Sequence, residues 1–65
     1  MSMEDVYIKH IENGIRGIRL GTKTPQEANV TQSFERLKIV NEGMAQDLMS
    51  KYKNVVEDYN KKNPK

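Results

Sequence analysis

The sequence has no cysteine and no tryptophan, a single histidine, a single phenylalanine and only two prolines. Each scarcity removes a way of holding or using a small fold. Without cysteine there are no disulfides and no thiolate metal sites. With His10 as the only histidine, a zinc site built from protein ligands alone lacks its usual donors. No metal and no cofactor is therefore expected. No apolar run approaches the roughly 18 residues of a membrane span. The opening residues, Met1-Ser2-Met3-Glu4-Asp5, are acidic and lead into no signal-peptide apolar core. A cytoplasmic protein without membrane association is the expectation. Asn29-Val30-Thr31 matches a glycosylation sequon, which carries no weight without secretion.

The 65 residues suffice for one small helical domain, 1–65. A single core is marginal at this size, and small domains lean on disulfides, metals or association. With the first two gone, association or close helix packing must serve. Apolar residues make up 35% and charged residues 31% of the chain, which is polar for a globular domain. The net charge of +2 is too small to imply nucleic acid by itself.

What the chain does have is helical spacing, and it predicts an all-α fold. Ser2 reads as an N-cap, with Glu4 and Asp5 at the positive end of the helix dipole. Ile8, Ile11, Ile15 and Ile18 then fall on one face of a short helix, about 3–20. Gly14 and Gly17 each weaken that helix by roughly 1 kcal/mol relative to alanine, and they either allow close packing or end it early. Gly21 is a natural stop. Thr24-Pro25-Gln26-Glu27 has the residues of a capping box with proline at the first helical position. A second, long helix over about 25–61 is predicted from there. Its stripe is Val30, Phe34, Leu37, Val40, Met44, Leu48, Tyr52, Val55 and Tyr59. Acid-first pairs at i,i+4 spacing support both helices: Asp5/Lys9, Glu12/Arg16, Asp47/Lys51, Glu57/Lys61 and Asp58/Lys62. Lys61, Lys62 and Pro64 mark the end.

The two stripes differ in length. At 1.5 Å per residue the first helix spans about 27 Å and the second about 55 Å. Folded back, the first reaches only the neighbourhood of Gly43, and the stripe from Met44 to Tyr59 lacks a partner within the chain. A homodimer or higher assembly of helical hairpins, with a four-helix-type bundle, would cover it. Asn41 would then sit in the seam, where a polar residue fixes register. The alternative is a three-helix bundle broken at Gly43. The expected interface residues are Ile8, Ile11, Ile15, Ile18, Phe34, Leu37, Asn41, Met44, Leu48, Tyr52, Val55 and Tyr59.

One segment has a functional look. Gly14 to Thr24 holds Arg16, Arg19 and Lys23, three glycines and no acid, beside a helix start. Arginine grips phosphate through paired bonds, and free amides at a helix start favour anions. Arg16, Arg19, Lys23 and Thr24 are thus candidate ligands for a phosphate-bearing small molecule, a nucleotide or cyclic nucleotide, or RNA. The stretch matches neither the Walker A nor the dinucleotide pattern, so a solvated polar face is the competing reading. His10 reads as a solvated surface residue. Ser33 and Ser50 have no histidine at a meaningful spacing, and the carboxylates do not form a metal box. No catalytic residue and no enzyme activity is expected. The leading expectation is a small regulatory or inhibitory protein that binds an unidentified partner protein, a type of chain common among regulators of bacteria and their viruses. The alternative is an oligomer that sequesters an anionic ligand through residues 14–24.

Overall fold

Ser2 caps the first helix as its residue type suggests: the Asp5 amide donates to Ser2 Oγ at 3.3 Å. In a computed structural model, which describes residues 2–62, the chain is all-α. Four helices follow one another: α1 Met3–Leu20, α2 Pro25–Ala28, α3 Thr31–Val40 and α4 Glu42–Lys62. The expected stop at Pro64 lies outside the described residues. α1 buries Ile11, Ile15 and Ile18, with Ile8 half-buried on the same face. It ends at Gly21, whose φ of 78° is the left-handed conformation glycine adopts without a steric penalty. The Thr24 start is also as expected, with both halves of the capping box formed.

The continuous helix over 25–61 is not observed. It is interrupted twice, and neither interruption is at Gly43. The first is at Asn29, where φ 47° and ψ 53° turn the chain after a single turn of α2. Asparagine tolerates that left-handed conformation better than other residues with a Cβ. The turn lets Ala28 and Val30 both point inward, and both are buried. The second interruption is at Asn41, with φ −156° and ψ 85°. The Asn41 side chain then caps α4, its Oδ1 accepting from the Met44 amide at 3.1 Å. Gly43 lies inside α4, in its first turn.

The break at Asn41 resets the helical phase. On a continuous helix Val40 and Met44 would follow Leu37 along the stripe. Instead both are exposed, at 56% and 37%. Ala45 takes the inward position, and the α4 stripe becomes Ala45, Leu48, Tyr52, Val55 and Tyr59, at steps of three and four. α3 contributes Phe34 and Leu37.

α1, α3 and α4 each pack against the other two, and α2 packs on α1. α4 runs alongside α1 in the same sense. At the start of both helices Asn41 Nδ2 donates to Glu4 Oε1 at 2.6 Å. Near their far ends Ile18 and Arg19 share a hollow with Val55 and Asp58. Ile11, Leu37 and Val30 are the most completely enclosed side chains, each contributing about 1.5–3 kcal/mol through burial. Phe34 and Tyr52 meet edge to face, ring centres 5.6 Å apart. The half-stripe expected to lack a partner is therefore covered within the chain, and its length no longer requires a second copy.

None of the acid-first pairs closes into an ion pair among the described residues. No helix among them is long and apolar enough to cross a membrane.

Candidate functional site

The segment from Gly14 to Thr24 splits into parts that face different ways. Gly14 is buried because α2 and the start of α3 lie directly on it. A Cβ there would stand 2.8 Å from Val30 Cγ1 and 3.2 Å from Ala28 Cβ. Gly17 is covered by the aliphatic stem of Lys23. Its carbonyl accepts from the Thr22 amide at 2.9 Å, the Lys23 amide at 3.2 Å and the Thr22 hydroxyl at 3.2 Å. The two glycines thus serve close packing and a closed turn.

Thr24 does not offer an anion grip. Its amide donates to Glu27 Oε1, and its hydroxyl accepts from the Glu27 amide, both at 3.1 Å. The place a phosphate would take holds a carboxylate. α2 is also only four residues long, too short to sum much of a dipole. His10 is exposed, and its Nε2 lies 3.4 Å from the Asn29 carbonyl, within reach of a hydrogen bond that steadies the first turn.

Arg16 and Arg19 point elsewhere. At about 100° per residue, Gly17 lies about 160° from Arg19 and about 100° from Arg16 around α1, so Lys23, which covers Gly17, is on a different face from the arginines. The two arginines face α4 and meet Lys51, which the sequence offered no reason to group with them. A hollow of about 400 Å³ between α1 and α4 is lined by Lys9, Glu12, Asn13, Ile15, Arg16, Arg19, Leu48 and Lys51. A second, of about 190 Å³, adjoins it at Arg19 and Lys51 and is lined also by Asn54, Asp58 and Lys62. Together they hold five of the chain's eleven lysines and arginines but only two of its nine acids. The remaining six cations are outnumbered by seven acids, so the basic character of the chain is concentrated on this face.

A larger groove of about 750 Å³ lies between α3 and α4, on the side away from α1. Val30, Phe34, Ala45 and Tyr52 form its floor, and Met49 forms one wall. The small Ala45 side chain gives it depth. Glu35, Lys38 and Glu42 stand along the rim. Ile39, on α3 beside Glu35, is 84% exposed.

The residues expected at an interface are mostly inside one copy of the chain. Ile11, Ile15, Ile18, Phe34, Leu37, Leu48 and Val55 are buried core, and Ile8, Tyr52 and Tyr59 pack against it. Asn41 is half-buried as the α4 cap, and Met44 is exposed. Sequence reasoning missed Ala45. It reads Met49 as part of an adaptable surface with Met44, Leu48, Tyr52 and Tyr59, and Lys51 as part of a solvated basic fringe, without grouping Lys51 with the arginines. Among the described residues no group of histidine, cysteine, aspartate or glutamate is placed to hold a metal ion. No known protein family, no curated protein sequence and no solved structure matches this chain.

Proposed function

We propose that this is a non-catalytic binding protein that takes an amphipathic helix of a partner protein into the α3–α4 groove and regulates that partner by occupying it. The observation that carries this is the groove itself: an apolar floor, a small residue at its centre and a polar rim. Its volume falls in the range of sites that enclose ligand side chains. Helix-in-groove recognition needs such a strip, filled by anchors at i, i+3, i+4 and i+7. Met49 is flexible enough to adapt to the anchor it meets. The rim carries two carboxylates to one ammonium, with no ion pair between them. This favours a partner helix whose flanks are basic.

A foreign helix fits the groove better than a second copy does. α3 has ten residues, so the strip is only about 15 Å long. A stable dimer buries on the order of 800 Å² per partner, which asks for more than one short strip. A helix anchored by two or three side chains asks for less. A cytoplasmic setting accompanies this reading, since a chain of this size without cysteine suits a compartment where disulfides do not persist.

The test uses a displayed library of amphipathic helical peptides with apolar anchors and Lys/Arg flanks, selected against the full chain. Met49→Glu is the probing variant, because Met49 is partly exposed and its loss spares the core. The proposal expects enriched peptides whose binding falls at least tenfold in Met49→Glu at unchanged melting temperature. Failure to enrich any sequence, or enriched peptides indifferent to Met49→Glu, overturns it. A concentration-dependent dimer that Met49→Glu dissociates in sedimentation would identify the occupant as a second copy instead.

A further inference from the structure

We propose a second binding site in the cleft between α1 and α4, taking a nucleotide-sized organic phosphate. Arg16, Arg19 and Lys51 would hold its phosphates. The inference is independent of the α3–α4 groove.

Three observations carry it. The first is convergence. Arg16, Arg19 and Lys51 come from two helices and together line the larger of two adjoining hollows, and Arg19 and Lys51 also line the smaller. The second is availability. None of the three cations is engaged in an ion pair or hydrogen bond among the described residues. Their donors are free for a ligand, and arginine in particular can present two at once to a phosphate. The third is the surroundings. The larger hollow, about 400 Å³, is also lined by Ile15, Leu48, Glu12, Asn13 and a fourth cation, Lys9. That mixed lining suits an organic phosphate whose body carries hydroxyl or amino groups for Glu12 and Asn13; Ile15 and Leu48, 6% and 3% exposed, offer it little apolar surface. Inorganic phosphate would use only the cations.

The two acids favour a small ligand over a strand of nucleic acid. An extended RNA backbone lying in the cleft would run past Glu12 and Lys9 in one direction and Asp58 and Lys62 in the other, and both carboxylates would face a phosphate with like charge. A ligand that ends its charge at Arg16, Arg19 and Lys51 avoids both.

A fluorescent ribose-labelled ATP analogue, titrated into the full chain at low and at moderate salt, tests the site. Arg19→Gln and Lys51→Gln should each weaken binding by about tenfold or more, the loss expected for a charged hydrogen bond. Lys23→Gln, on another face of α1 and outside both hollows, should leave it unchanged. All three positions are exposed, so unfolding curves should coincide with that of the parent chain. Absence of binding up to millimolar analogue overturns the site. An equal loss in Lys23→Gln overturns it too, since attraction to overall charge would then be enough. Competition by tripolyphosphate as effective as by ATP would remove the role given to Glu12 and Asn13. An RNA oligomer binding a hundredfold tighter than the analogue, with a steep loss in salt, would show that the cleft serves nucleic acid.

Discussion

Substituting Gly14 and Gly17 by alanine should move stability in opposite directions. Both lie in the interior of α1, where alanine in place of glycine is worth about 1 kcal/mol of helix propensity. At Gly14 the new methyl would stand 2.8 Å from Val30 Cγ1 and 3.2 Å from Ala28 Cβ. Val30 is 2% exposed, and its branched side chain has little rotamer freedom. Overpacking of this kind costs about 1–3 kcal/mol, so Gly14→Ala should be destabilising by up to about 2 kcal/mol net. At Gly17 the methyl meets Lys23 Cδ at 2.9 Å, with Cγ and Cβ a little further off. Cδ and Cγ belong to an exposed, flexible stem that can swing aside, and Cβ at 3.2 Å asks the turn to give by only a few tenths of an ångström. Gly17→Ala should therefore keep part of the propensity gain, about 0.5 kcal/mol. For a domain of this size each kcal/mol shifts the melting temperature by about 4–8 °C, enough for thermal denaturation followed by circular dichroism. Adding Val30→Ala to Gly14→Ala makes room for the methyl, so the pair should be less destabilised than the sum of the single variants by about 1 kcal/mol. If Gly14→Ala raised the melting temperature as much as Gly17→Ala, then α2 and Val30 could not lie on α1 as described.

Asn41→Ala should cost about 1–2 kcal/mol, the range for losing a helix cap, because Asn41 both caps α4 and donates to Glu4. Denaturant titration of Asn41→Ala, Glu4→Ala and the double variant separates the two roles; strict additivity would mean that the Glu4 bond contributes nothing. Thr24→Ala should lose about 1 kcal/mol through the capping box yet leave nucleotide-analogue affinity unaltered. A parallel fall in affinity would restore Thr24 to a phosphate site. The two proposed sites should act independently: Met49→Glu should leave analogue binding intact, and Lys51→Gln should leave peptide binding intact. Calorimetric titration of each ligand with and without the other measures any coupling directly.

The start and stop signals of α1 and the start of α2 were legible because they are local. Ser2, Gly21 and the Thr24–Glu27 box act through bonds to residues within a few positions. The core residues of α1 were also legible, since three or four apolar positions at helical spacing face one way in any packing. The breaks at Asn29 and Asn41 were less legible because each has two competing outcomes. Asparagine is tolerated inside a helix and also favoured at its ends, and neighbouring packing decides. At Asn29 the decision comes from Gly14, whose bare backbone leaves room for Ala28 and Val30 to bury together. At Asn41 it comes from Glu4, thirty-seven residues away in sequence, which holds the side chain that caps α4. The grouping of Arg16, Arg19 and Lys51 depends on the break at Asn41, which folds α4 back so that it runs alongside α1 in the same sense.

The break at Asn41 also changes which surfaces are left over. A continuous helix over 25–61 would carry one long apolar seam, and covering it would consume that face in self-association. The observed α4 instead spends its stripe, Ala45 to Tyr59, on α1 and α3 of the same chain. Both flanks of the stripe then remain at the surface. At about 100° per residue, Met49 and Lys51 lie about 160° apart around α4. One flank closes the apolar groove with α3, and the other closes the basic cleft with α1. The helix that completes the core thus also separates two chemically different faces.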